Sequence, residues 1–496
     1  MKNNTLTYGL IALAMATILT ACTSVVQRHR EAGNQVIFAD PIVTTSTPTP
    51  TQNATISIDG LPRVNTFILG ELTPKDYDAL SAVAKHNSQQ TPPLLSGISR
   101  ELPPLPSITF TGIRDPSSPD DKSLSVATLD VAGAEMLRVR INFSDLPPDI
   151  EIFTNSQSRN QLSRWIPNKS LSEWSPIIFG SYVVIAVRSK QKIESIDLLG
   201  VLQIFPLTVD GNLMRNKEVF IDGHWTASVS VKNMGPLVDS TCKTDENTRY
   251  RNLPNFVRQI ESATALLATV TSLPTGAVVS GFCTGTRVAS LRDPQGYYIL
   301  TANHCFAPGN PPQSNATPNS VGSTQVFWDY RTGACNSAGP VQFSSQRLLA
   351  LQNSGGAALL GARFQSDSVL FSVTPATGTR IALGWQLGLQ LTNDAYVHRV
   401  SHPNAHSAAY TLQLVDHIEN LTYCEPALPR IEYFNSALMQ GATSPVSSGS
   451  AVVTQNLRVV GQQYGLCKMT INGNIWHIHV DGELSRSWPA FGAYLQ

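Results

Sequence analysis

Six of the seven cysteines, Cys242, Cys283, Cys305, Cys335, Cys424 and Cys467, lie from residue 242 onward. An even cysteine set confined to one region reads as a disulfide framework formed in an oxidising compartment. The first half must then stand on packing alone, while the second is stapled. With 496 residues the chain exceeds one ordinary core, so two or more domains are expected. From about residue 236 onward the sequence is a string of short apolar runs punctuated by Gly, Pro, Ser and Asn, with almost no helical periodicity. That texture and length suit two packed β-barrels.

The seventh cysteine, Cys22, bears on the compartment. Lys2 gives a weakly basic start, and the apolar run 10–19 is too short to span a bilayer as a mature helix. It ends in Leu19-Thr20-Ala21-Cys22, which resembles a bacterial lipobox. Residues 1–22 are therefore expected to be a lipoprotein signal peptide, with Cys22 lipidated. Thr23 follows rather than Asp, which implies a lipid-anchored protein of the cell envelope, at the outer membrane. Charged residues make up 14% of the chain and the formal net charge is zero, with no basic tract. That argues against nucleic acid and against a polybasic membrane surface.

Residues 23–115 read as a tether and linker-rich region. DPIVTTSTPTPTQNAT, residues 40–55, is rich in Pro and Thr, and residues 87–107 are again polar and Pro-rich. One helix is expected between them, from Thr73-Pro74 to about Lys85, with Thr as cap and Pro in the first turn. Residues 116–232 read as an antiparallel β-sandwich, because LRVRINFSDL and YVVIAVRS alternate apolar and polar residues with period two. The segment EWSPIIFGSYVVIAV resembles a β-domain that often precedes secreted trypsin-like peptidases. It carries no cluster of acids, His or Cys that would make a site of its own.

Chemistry concentrates at residues 280–306. Cys283 lies in SGFCTGTRVAS, and Cys305 follows His304 at the end of the apolar run YYILTANHCF. A Cys283–Cys305 bridge would pin the loop carrying His304, contributing about 3 kcal/mol on the loop-entropy model. The pattern FCTGT…YILTANHC resembles the histidine half of a chymotrypsin-like serine protease, with Asn303 where an Ala is usual. TSPVSSGSAVV, residues 443–453, resembles the nucleophile segment of that family, specifically its lysyl-endopeptidase-like branch. RFQSDSVLFSV offers an acid before an apolar strand; Asp329 and Asp394 compete but lack that following run.

The resemblance implies His304 as general base, Asp367 as its orienting acid and Ser448 as nucleophile. Their chain order is that of the chymotrypsin fold; the α/β-hydrolase order puts Ser first. The resemblance covers residues 236–496, as VGQQYG (460–465), GWQ (384–386) and SHPN (401–404) also look like lysyl-endopeptidase-type segments. The fold class implied is all-β, a chymotrypsin-like double β-barrel preceded by a β-sandwich domain and a Pro/Thr-rich tether. It further implies a Cys242–Cys467 disulfide, which leaves Cys335 with Cys424. The expected protein is a monomeric serine endopeptidase acting on protein or peptide substrates, without a cofactor.

Two departures matter. Ser447 stands where most trypsin relatives have Asp, so activity is expected not to depend on a newly cut amino terminus. Val446 stands where the family has Gly, whose amide forms the oxyanion hole with that of Ser448. A β-branched residue fits that conformation at a cost, and Pro445 stiffens the turn. A pseudoprotease, the same fold kept as a binding module, is the alternative reading. The substrate pocket has candidates in Tyr464, Gly465, His479 and Asp481; Ala442 occupies the position of the usual specificity acid. Depending on alignment, His479 or Asp481 fills the acid position of lysyl endopeptidases. His477-Ile478-His479 and His402-Pro403-Asn404-Ala405-His406 lack the Glu of a zinc-protease motif, so no metal site is expected.

Overall fold

The computed structural model describes residues 27–496 except 32–33, 47–54, 58–65, 89–92, 105, 115–122, 145, 148–149, 156–160, 166–173, 209–211, 216–217, 228–236, 244–254, 274, 308–312, 336–351, 355, 389–390, 393, 417–431 and 472–473. The lipobox at Cys22 and the cysteine at 424 lie outside the described residues.

Two β-barrels make up the second half. The first is built on the long strands Thr264–Ser272 and Val278–Val288, which pair along their whole length. Val278–Val288 continues onto Tyr298–Ala302, which pairs with Ser368–Ser372 and through it with Ala358–Arg363. Gln325–Trp328 flanks the other side, against Thr264–Ser272. Leu267, Ile299, Val326, Trp328, Val369 and Phe371 fill the interior.

The second barrel closes. Tyr396–Ser401 pairs with Ala409–Val415, which pairs with Tyr433–Gln440, which pairs with Asn474–Glu483. Asn474–Glu483 pairs with Arg458–Ile471, which returns through Ala451–Val453 to Tyr396–Ser401. A closed ring leaves no open sheet edge. The architecture is therefore the all-β double barrel that the resemblance implies.

Among the described residues the two longest helices of this half are Phe256–Ala263 and Leu484–Leu495. Pro489 lies inside the second, and a proline normally argues against a helix interior. Phe491 and Leu495 nonetheless pack against Trp385, Val459 and Leu383 in the second barrel's core, and this burial outweighs the local penalty.

The accessory domain is a sandwich of two sheets. One carries Ser123–Val131, Tyr182–Ser189, Glu151–Asn155 and Gln161–Trp165, the other Met136–Ile141 and Ser195–Ile204. Leu129, Val139, Ile185 and Val201 are among the residues buried between them.

The structure corrects the reading of residues 23–115 as a tether. The expected helix is present as Pro74–Ser88, with Thr73 Oγ1 accepting from the Asp76 amide at 3.2 Å and Asp76 Oδ2 from the Thr73 amide at 2.9 Å. Around it, however, lie built-in strands. Asn34–Ala39 pairs with Gly384–Leu387 and Ile42–Ser46 with Gly378–Ala382, so both segments are sewn to the double-barrel half. Leu94–Ser99 sits between the sandwich strand Ser195–Ile204 and the barrel strand Val278–Val288. The sandwich and first barrel thus share one sheet, and the sandwich is not a separate bead at 116–232. The cause is local: VIF, IVTT and LLSGI are short β-forming runs within a Pro- and Thr-rich composition. Gly97 permits the close approach, because a Cβ there would lie 2.7 Å from Gln203 O.

The disulfides also correct two expectations. Cys242 bonds Cys335, not Cys467, so the Cys335–Cys424 pairing fails as well. The turn Ser240–Lys243 lies against the end of the first barrel, where Thr241 Oγ1 donates to Thr332 O at 3.1 Å. That contact brings the two Cα atoms to 4.4 Å. Cys467 is disulfide-bonded.

Candidate active site

His304 and Asp367 meet where two paired strands end. Tyr298–Ala302 and Ser368–Ser372 run antiparallel with Ala302 opposite Ser368, so the residues just beyond them converge. His304 Nδ1 lies 2.7 Å from Asp367 Oδ2, and the His304 amide donates to Asp367 Oδ1 at 2.8 Å. Asp367 has φ 52, a left-handed conformation that Asp tolerates better than most residues. Both side chains are fully buried. Burial pushes the Asp367 carboxyl above its ordinary range, while the His304 ring and amide oppose that shift.

The loop is braced at three further points. Cys283 and Cys305 form a disulfide. The Asn303 amide donates to Asp367 O at 3.0 Å. The Asn303 side chain, which departs from the usual Ala, donates to Ser314 O at 2.8 Å and accepts from the Ala316 amide at 2.7 Å. The competing acids are elsewhere engaged or exposed: Asp329 pairs with Arg380 at 2.6 Å, and Asp394 is exposed in a loop.

Ser448 lies on the turn that precedes Ala451–Val453. Its Oγ donates to Tyr464 O at 3.4 Å, a long contact, while His304 Nε2 has no hydrogen-bond partner among the described residues. Within this turn the Ser447 amide donates to Ser444 O, the Ser450 amide to Ser447 O and the Gly449 amide to Gln463 O. Pro445 has no amide hydrogen. Among the described residues the amides of Val446 and Ser448 donate to nothing, so the turn leaves free the two donors the sequence singled out. Gly449 has φ 83, and a Cβ there would sit 2.1 Å from Thr301 Oγ1, so only glycine fits.

Val446 has φ 78, the left-handed region that is costly for a β-branched residue. Both flanking carbonyls are held. Pro445 O accepts from the Asn404 amide at 2.7 Å, and Val446 O accepts from Thr284 Oγ1 at 2.8 Å. Asn404 itself has φ 48, which Asn accommodates. Ser447, buried, bonds through Oγ to Ser401 Oγ at 3.0 Å and to the Ser444 amide at 3.3 Å.

The pocket candidates separate. Tyr464 stands edge-on to His304, with ring centres 5.8 Å apart, and meets Tyr433 on its other side. Burial, reinforced by the Asp367 charge, raises the pKa of both phenols and keeps them protonated. Gly465 borders open space, where an added Cβ would touch nothing. His479 is buried with Nδ1 3.3 Å from Thr443 Oγ1, five residues before Ser448. Asp481 is engaged in the interior. It is fully buried against Arg399 at 2.6 Å and accepts from Ser436 Oγ at 3.2 Å, so its charge is already neutralised.

His402 and His406 are held by packing and backbone contacts. His402 stacks on Tyr330 at 5.4 Å, and its Nδ1 lies 3.0 Å from His406 O. Cys283, His304 and Cys305 are the one grouping with metal-like proximity among the described residues, but both sulfurs belong to the disulfide and cannot ligate as thiolates. Sequence reasoning missed Thr284 and Asn404 as supports of the Ser448 turn. Thr284 stood inside the FCTGT motif, but only the fold brings it against residue 446.

Residues 238–474 match the model of the lysyl endopeptidase C-terminal domain. Among solved structures, the crystal structure of the scabies mite inactivated protease paralogue S-I1 is similar at 13% identity with a TM-score of 0.30, covering 46% of this chain and 91% of that one.

Proposed function

We propose that this chain, whose second half is related to the trypsin-like serine proteases, is a serine endopeptidase. In the reaction His304 Nε2 takes the Ser448 hydroxyl proton as Oγ attacks a peptide carbonyl. The oxyanion is received by the amides of Val446 and Ser448. Collapse breaks the C–N bond, and His304 returns the proton to the leaving amine. Water, activated in the same way, then hydrolyses the acyl-enzyme. Asp367 holds the imidazole orientation and stabilises its cation.

The observation that carries this reading is the pair of unengaged amides, Val446 and Ser448, flanking a hydroxyl on a turn whose other amides are all bonded. To donate to His304, the Ser448 hydroxyl gives up its contact with Tyr464 O, which at 3.4 Å is weak. Turnover of a peptide ester by the full chain tests the reading: Ser448→Ala and His304→Ala should each abolish it. Retained turnover in Ser448→Ala would overturn the assignment.

A second reading, a protease-fold binding module, draws on the full burial of His304 and the strain at Val446. It predicts no turnover by a well-folded wild-type chain. The proposal also includes a lipid anchor at Cys22, supported by the Leu-Thr-Ala-Cys segment alone; radiolabelled palmitate should enter the wild type and not Cys22→Ala.

A further inference from the structure

We infer that Thr284 is the positioning residue that keeps the oxyanion turn in working geometry without the glycine; this rests on the serine-endopeptidase reading above. Thr284 is fully buried and makes four hydrogen bonds, two of them to the turn. Its amide donates to Ser448 O at 2.9 Å. Its hydroxyl donates to Val446 O at 2.8 Å and accepts from the His402 amide at 3.0 Å. Its carbonyl accepts from Thr301 Oγ1 at 2.8 Å, on the strand that leads to His304.

The hydroxyl solves a specific problem. A glycine keeps a positive φ with no steric cost, whereas valine at φ 78 tends to relax toward negative φ. Relaxation would swing the peptides on either side of residue 446 and turn its N–H away from the oxyanion. The hydroxyl bond fixes the peptide after Val446, and the Asn404 amide fixes the peptide before it through Pro445 O. The His402 amide in turn orients the hydroxyl, since its hydrogen occupies one lone pair and leaves the O–H to face Val446 O. The Val446 side chain lies in a buried cluster with Phe282, Tyr330 and Ala405, which holds it from the other side.

The test is Thr284→Val, which keeps the shape and removes only the hydroxyl, in the full chain with a reactive ester. The expected result is a kcat lowered about 10- to 100-fold with KM within about twofold. Thr284→Ser should behave like wild type. Adding Val446→Gly to Thr284→Val should restore kcat, because glycine holds the positive φ unaided; a merely structural role for the hydroxyl gives no such rescue. A kcat for Thr284→Val within about twofold of wild type overturns the inference, as does loss of activity that Val446→Gly leaves unrepaired. Failure of the underlying reading looks different: Ser448→Ala would then keep the ester turnover, or the wild type would have none. In that case a crystal structure of Thr284→Val decides. Val446 moved to negative φ supports the positioning role, and Val446 unchanged refutes it.

Discussion

Arg399 and Asp481 form an ion pair at 2.6 Å with both side chains fully buried, beneath the turn that carries Ser448. Arg399 also donates to Ser450 O at 3.1 Å and Ser450 Oγ at 3.0 Å, so the pair supports the turn. Asp481→Asn leaves a buried guanidinium uncompensated and should cost about 3–5 kcal/mol in urea unfolding. The residue preference at the cleavage site, read by sequencing the new ends of a digested peptide library, should stay the same. Cleavage confined to Lys in the wild type and relaxed in the variant would make Asp481 a selector after all.

The Cys283–Cys305 bridge holds the His304 loop to the strand Val278–Val288. Replacing both cysteines with Ala should lower stability by about 3 kcal/mol, from a closed loop with sequence separation 22. Ester turnover at a temperature where the variant remains folded should fall more than tenfold, because catalytic geometry tolerates little displacement. Undiminished turnover would mean that the Asp367 bonds and Asn303 suffice.

Burial pushes the His402 imidazole down to about 4 from its ordinary value near 6.5. The folded state therefore excludes a proton that the unfolded chain accepts. The stability this supplies is fully present above the unfolded pKa and is lost as pH falls through about 6.5 toward 4, by roughly 3 kcal/mol at most. His406, also lowered by burial, acts in the same direction. Urea unfolding of wild type and His402→Phe across this range should show a shallower acid loss in the variant. Parallel curves would exclude His402 as a contributor.

Native cysteine connectivity gives a fourth check. Digestion without reduction should yield a peptide joining Cys242 to Cys335, as the structure has it. A Cys242–Cys467 peptide would restore the pairing implied by resemblance.

What the sequence made legible was local. The Thr-Ala-Asn-His-Cys end of a buried strand, the Ser448 turn and the position of Val446 each sit within a few consecutive residues, where type and spacing speak directly. Contacts between distant segments were hidden. Nothing in LLSGIS announces that it bridges two sheets, because an apolar hexamer suits any buried strand. Alternation put His479 and Asp481 on one strand face, but Arg399, which decides their difference, enters from a strand some eighty residues earlier. Pairing of Cys242 depended on where the turn Ser240–Lys243 docks, and spacing carries no such information.

The most direct test of the central claim is fluorophosphonate labelling of the full chain, with the modified residue mapped by mass spectrometry. The account predicts one adduct, on Ser448, absent from both Ser448→Ala and His304→Ala. A correctly folded wild type that takes no label, or takes it at another serine, would contradict it.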